Sequence, residues 1–322
     1  MTALAVEVEV TVEAAAAVVA AAGAEAAGVE AETQSVDRVG IGWRADLAAG
    51  IFANLDCIGA VEVIAEDYSR AGKSAMRALR RLREHVPVTL HGVTMGLAST
   101  IPVARERVER MARLVAAIEP ESWSEHLAFV RAGAVEIGHL AAPPRTPQSV
   151  AGAIANIETA ARIVGAPPIL ENIATLIDPP ASTLCEAQWV TQIVRGSGTQ
   201  LLLDLHNLYA NACNFGRDPI ELLLDFPLER VALVHISGGR WVDVPGGNPG
   251  QQRLLDDHLH DVPPAVHDLL AVLASRATQP LTVILERDGH FPKFDHLLEQ
   301  LALARSAMQR GRTLAMGERT CA

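Results

Sequence analysis

The sequence predicts an α/β fold, a closed (β/α)8 TIM barrel of the xylose-isomerase-like kind, and three observations carry that prediction. Eight short apolar runs alternate with helical stretches between residues 39 and 286. The runs are apolar at consecutive positions, which is how parallel strands buried on both faces read. Most of them end in a carboxylate, an imidazole or an amide, and in a barrel those ends converge on one mouth. An open doubly wound sheet is disfavoured, because no GxGxxG follows the first run.

Taken in order, Val39-Gly40-Ile41-Gly42-Trp43-Arg44 reads as a strand entering a glycine-containing turn. Ala60–Glu66 is a second strand and ends in Glu66-Asp67-Tyr68; residues 74–83 then form a helix with a basic outer face. Pro87–Val93 is a third strand carrying His91, followed by an amphipathic helix over 103–118. Ser122–Leu127 holds Glu125 and His126, 149–164 is helical, and Pro167–Asn172 ends in Glu171-Asn172. A helix over 182–197 leads into Leu201-Leu202-Leu203-Asp204-Leu205-His206-Asn207, read as one strand. With a period of two, Asp204 and His206 point to the same side of it. A helix at 219–224, a strand at 231–236 with His235, a helix at 262–275 and a strand at 281–286 ending in Glu286 complete the set.

The chain has 322 residues, enough for one large barrel domain. We place that domain at 37–306, between an Ala/Val/Glu-rich extension (1–36) without Lys or Arg and a flexible tail (307–322). The apolar patch Ala14–Ala22 is too short to span a bilayer and lacks a basic leader, so no membrane anchor is expected. A net charge of −11 argues against a nucleic-acid partner. Four scattered cysteines without a CxxC fit a reducing, cytoplasmic setting. Cys57 and Cys185 are expected to be packing residues, and Cys321 an exposed tail thiol.

The mouth would gather Glu66, His91, Glu125, His126, Glu171, Asn172, Asp204, His206, Asn207, His235 and Glu286. The loop Asp256-Asp257-His258-Leu259-His260 adds to them. Carboxylates and imidazoles without thiolates suit hard to borderline ions such as iron or manganese. So many carboxylates would repel one another and take up protons unless cations neutralised them. Glu171 could bridge two ions, which a single imidazole cannot. Singly, each residue has a plainer reading: most buried histidines are satisfied core residues. Glu62 is expected to face a helix through a salt bridge, and Glu136, His139 and His296 to lie on the surface.

Several short motifs, in this order and spacing over residues 39–292, resemble the multinuclear non-haem iron-dependent oxidative enzymes. They are Gly40-Ile41-Gly42, Glu66-Asp67-Tyr68, His91-Gly92-Val93, Ser124-Glu125-His126-Leu127, Leu170-Glu171-Asn172 and Leu203–Asn207. Asn214–Pro219, His235-Ile236-Ser237-Gly238, Asp256-Asp257-His258 and Glu286-Arg287-Asp288 continue the series. The resemblance implies a barrel that binds two or three Fe ions as mixed Fe(II)/Fe(III), uses O2, and oxidises a precursor peptide, often at cysteine, with a peptide-presenting partner protein. It implies as ligands His91, Glu125, His126, Glu171, Asp204, His235, Asp256, His258 and Glu286, with His206 as a strong addition; Glu66 and Asn207 complete the expected metal set. Asp67, Glu125 and His206 depart from a family pattern that often carries Asn, Asp and Asn there.

Under this reading a ferrous ion handles dioxygen while a ferric neighbour holds the substrate thiolate. Asp256 or Asp204 serves as ligand or general base. The Gly/Pro-rich stretch 237–252 reads either as a mobile lid or as a surface loop, with Arg240 and Trp241, together with Asn172, touching substrate. Two rival readings stand beside it. One is a divalent-metal sugar isomerase or an abasic-site endonuclease; the other is a non-catalytic metal-binding partner protein.

Overall fold

The computed structural model describes residues 36–320 except 70, 134, 245 and 247–249, so nearly all of the N-terminal extension, and Cys321, lie outside the described residues. Eight parallel strands close a barrel in the order β1 (Arg38–Gly42), β2 (Val61–Ile64), β3 (Val88–Gly92), β4 (Ser122–His126), β7 (Ile169–Glu171), β8 (Gln200–Asp204), β9 (Val231–Ile236) and β12 (Thr282–Leu285). All eight runs predicted from the sequence are these strands. The remaining strands form two antiparallel hairpins outside the barrel, β5 (Phe129–Ala132) with β6 (Val135–Ala141) and β10 (Gly239–Asp243) with β11 (Gln252–Asp256).

Helices α1 (Ala48–Ala53), α2 (Ala65–Tyr68), α3 (Lys73–His85), α4 (Arg105–Ile118), α5 (Pro147–Val164) and α6 (Glu186–Ser197) flank the first strands. They are followed by α7 (Leu205–Phe215), α8 (Pro219–Leu224), α9 (Pro264–Arg276) and α10 (Phe294–Thr320). Alternate residues of each strand face these helices: Val63, Leu90, Trp123, Leu170, Leu201, Leu203, Val234 and Val283 belong to the large outer core. The inward-facing alternates include a separate small cluster of Ile169, Leu202 and Leu233, all buried, which floors the barrel beneath its polar mouth. Truncating Leu202 to Ala would open a cavity there at a cost of about 2–5 kcal/mol.

The structure corrects four expectations. The strand Leu201–Asn207 stops at Asp204, whose side chain accepts from the Asn207 N–H and so caps α7; Leu205 onward is helical. The tail expected to be flexible from 307 continues α10, with Ala307 and Met308 buried and Arg312 bonded to Asp37. The stretch 237–252, read as a lid or a surface loop, holds the whole of β10 and the first residue of β11. Cys57 and Cys185 are exposed, one at the end of a short 3-10 turn and one at the start of α6. No helix among the described residues is long and apolar enough to cross a membrane.

Candidate metal centre

The mouth is built by parity. In β3, β4 and β7 the inward positions carry His91, Ser124, His126 and Glu171, paired in register as His91 with Ser124 and His126 with Glu171. The ring nitrogen His91 Nδ1 lies 2.8 Å from Ser124 Oγ, and the Nδ1–H of His126 donates to the Gly92 carbonyl at 3.1 Å. A carbonyl only accepts, so the Nε2 of His126 carries a free lone pair. Both Nε2 atoms point at one oxygen: Glu171 Oε2 is 3.3 Å from His91 and 3.4 Å from His126.

The other oxygen of Glu171 serves a second group. Glu171, Asp204, His235 and Glu286 bring ligand atoms within 4.8 Å of one another, as do His91, His126 and Glu171. His235 Nδ1 lies 3.5 Å from Glu171 Oε1 and 3.1 Å from Glu286 Oε2. Its Nε2 lies 3.0 Å from the carboxylate of Glu62. That overturns the expectation for Glu62: it is buried inside the barrel against His235 rather than salt-bridged to a helix. Sequence reasoning missed it because Val61-Glu62-Val63 reads as an outward polar position, and only the barrel's registration shows which face is inside.

A third group adjoins. Asp256, at the end of β11, accepts from Ser237 and lies 2.8 Å from His206 Nδ1 and 2.8 Å from His258 Nε2. His258 Nε2 is also 3.6 Å from Glu286 Oε2, while its Nδ1 is 3.1 Å from Asp288, which Arg44 bonds in turn. His258 sits at φ +53°, a left-handed conformation that a non-glycine residue holds at a cost of about 1 kcal/mol, pinned by backbone bonds to Gly238 and Asp288. His206 is fully buried, and the Leu255 carbonyl together with the His206 ring fills the place where a side chain on Gly239 would stand, so only glycine fits there.

Charge at the centre is unbalanced. Glu171 Oε2, Asp204 Oδ2, His235 Nδ1 and Glu286 Oε2 are buried without a hydrogen-bond partner. Burial, with Asp256, Glu171 and Glu286 nearby, pushes the Asp204 carboxyl well above its usual range. Burial opposes charge on His235 too, yet Glu286, Glu62 and Glu171 hold its proton on well above the ordinary imidazole range. Glu286 is held well below the usual carboxylate range despite burial, by His235 and His258. Buried acids and imidazoles that exchange protons to balance charge, with lone pairs aimed at shared points, fit cations placed between them.

Other predicted residues stand apart. Glu125 belongs to the outward parity, with Leu90, Trp123 and Leu170; its oxygens accept from His126 N and Met95 N, and it abuts Gly92. Burial and the charge of Glu66 push its carboxyl well up. Glu66, in α2, accepts from Val93 N, Thr94 N and Thr94 Oγ1, and shares with Glu125 a side cavity of about 190 Å³ against α4. Asn207 donates to the Asn172 carbonyl. Asn172 is itself buried and exchanges hydrogen bonds with the Asp204 backbone at 2.8 and 3.1 Å, so it positions Asp204 rather than facing substrate. Arg240 and Trp241 are exposed on β10, the former 3.4 Å from Asp257.

Residues 38–309 match the model of the RiPP precursor modification enzymes MbnB/TglH/ChrH. A protein of Streptomyces avermitilis known only as a UPF0276 protein is 35% identical over 86% of this chain, and the chain spans only 56% of its length. A UPF0276 protein of Caulobacter vibrioides is 31% identical over 78% of this chain and 87% of its own. In three dimensions the barrel is similar to a D-psicose 3-epimerase from Clostridium cellulolyticum, with a TM-score of 0.52 at 11% identity over 86% of this chain and 99% of the other. At that identity the likeness concerns the fold alone.

Proposed function

This chain belongs to the MbnB/TglH/ChrH family of RiPP precursor modification enzymes, and on that premise we propose that it oxidatively modifies a ribosomally made precursor peptide at a cysteine side chain, in the cytoplasm, using O2 and two or three Fe ions. The observation that carries the reading is Glu171, whose two oxygens face two different sets of ring nitrogens, at 3.3 and 3.4 Å on one side and 3.5 Å on the other. A carboxylate so placed could serve both ligand sets if each held an ion. The donors are oxygen and imidazole nitrogen, which suits iron. Bound iron would supply dioxygen activation and a seat for a cysteine thiolate.

The protein's own groups set up that chemistry. His91, His126 and Glu171 form one ligand set; Glu171, Asp204, His235 and Glu286 form the next. Asp256 and His258, sharing Glu286 with the second set, would hold a third ion. Asp256 is kept ionised below its usual range: His258 and His206 outweigh burial. It is therefore available to ligate without first losing a proton, whereas Asp204 becomes so only once a cation offsets its neighbours. In this reading Glu66, Glu125, His206 and Asn207 support the centre from outside the ligand sets. Arg240 and Trp241, at the rim, contact the peptide, and a separate protein presents it.

Metal analysis of anaerobically purified protein, with Mössbauer spectroscopy, tests this. Two or three irons per chain with antiferromagnetic coupling are expected. Stoichiometric zinc, manganese or magnesium, with iron absent even after iron-supplemented growth, would overturn it.

A further inference from the structure

The four histidines of the ligand sets differ in what stands behind them. His91 is backed by the hydroxyl of Ser124 and His126 by the carbonyl of Gly92, both neutral. His258 is backed by Asp288, which is 42% exposed and shared with Arg44. His235 is different: its Nε2 is 3.0 Å from Glu62, and the two side chains are 0% and 2% exposed. A carboxylate that takes a hydrogen bond from Nε2–H fixes the tautomer, aims the Nδ1 lone pair and makes it a stronger donor. Here Nδ1 is aimed between Glu171 and Glu286.

We infer that Glu62 is a positioning residue that fixes His235 as an Nδ1 ligand and adds a fourth carboxylate charge behind the second ligand set. The inference rests on the metal reading above. A carboxylate and an imidazole buried together are costly to keep charged, and a cation held through that imidazole offsets the cost. The consequence is an asymmetry between ions. The set of Glu171, Asp204, His235 and Glu286 retains its ion more tightly than the His91–His126 set, and it favours the more highly charged ion of a mixed-valence pair.

The test compares anaerobically iron-loaded wild type, Glu62→Gln and Glu62→Ala by competition with an iron chelator and by Mössbauer spectroscopy. Glutamine keeps an acceptor for Nε2–H but not the charge; alanine keeps neither. Wild-type protein is expected to show two classes of iron. In Glu62→Ala the tighter class should weaken by roughly 10–100-fold, and in Glu62→Gln by less, with a smaller ferric fraction in both. The weaker class should keep its affinity and spectrum. A purely structural role would not move the ferric fraction, and the near-isosteric Glu62→Gln still decides the matter if Glu62→Ala does not fold. Unchanged chelator competition and spectra in folded variants overturn the inference alone. A wild type that takes up no iron overturns the functional reading, and this inference with it.

Discussion

Inside the barrel wall, Glu171 and Asp204 hold buried oxygens that no protein group satisfies. Outside it, Glu125, the neighbour of His126 in sequence, has its oxygens taken by the N–H groups of Met95 and His126. Both environments bury carboxylates, and they settle the charge differently. Within the wall the partners are imidazoles and other carboxylates, arranged around shared points. Beyond it they are backbone donors and protons. Strand parity alone decides which glutamate meets which fate.

The sharpest way to break that comparison is to remove the shared carboxylate. Glu171→Ala should weaken iron binding at both adjoining sets by at least about 100-fold, read as iron per chain after chelator challenge; loss from one set only would show that it does not bridge. Next in size is metal removal. If iron is held at 100 times its Kd, stripping it should cost about 2.7 kcal/mol of stability, seen as a fall in Tm. A Tm indifferent to chelation would separate the buried charges from any cation. Glu125→Gln should leave iron retention within about twofold of wild type and cost about 1 kcal/mol in stability for one weakened backbone bond. Iron loss comparable to that of Glu171→Ala would erase the distinction between the two sides of the wall.

The smallest effect concerns Glu186, outside the wall, where burial raises the carboxyl to about 7 against the pull of Arg145 and Asn211. Its folded state binds the proton more tightly than the unfolded chain, so stability falls as pH rises from about 4.5 to about 7. Because Glu186 is only half-buried, the loss should be about 1–2 kcal/mol rather than the full shift. Glu186→Gln should flatten the dependence of Tm between these limits. An unchanged slope would mean that this glutamate's charge is not settled by a proton.

Much of this was readable from residues. The eight strands announced themselves because a parallel sheet buried on both faces needs continuous apolar runs. His91, His126, Glu171, Asp204, His235 and Glu286 stood out as polar groups ending such runs. What the chain did not disclose was facing. Ser124-Glu125-His126 contributes one inward ligand position and one outward carboxylate, and Glu62 read as a salt-bridge partner for a helix although it lies behind His235. Leu205–Phe215 turned helical because Asp204 can cap, a signal hidden by the leucines around it. The β5–β6 hairpin escaped notice since its exposed residues, Val135 and Ile137 among them, follow no core pattern. The end of the final helix read as a flexible tail because few of its described positions beyond 306 are buried, Ala307 and Met308 among them.

One oxygen of Asp204 accepts the Asn207 N–H at 2.7 Å while the other faces the ligand set. With the centre empty, burial and the neighbouring carboxylates keep this carboxyl protonated; a cation that displaces the proton leaves a carboxylate, whose outer oxygen is a stronger acceptor. The Asn207 amide thereby becomes a spectroscopic gauge of occupancy: in protein loaded with a diamagnetic divalent ion such as zinc, its proton resonance should move downfield relative to the empty centre. The start of α7 would then signal filling of the barrel mouth without any substrate present.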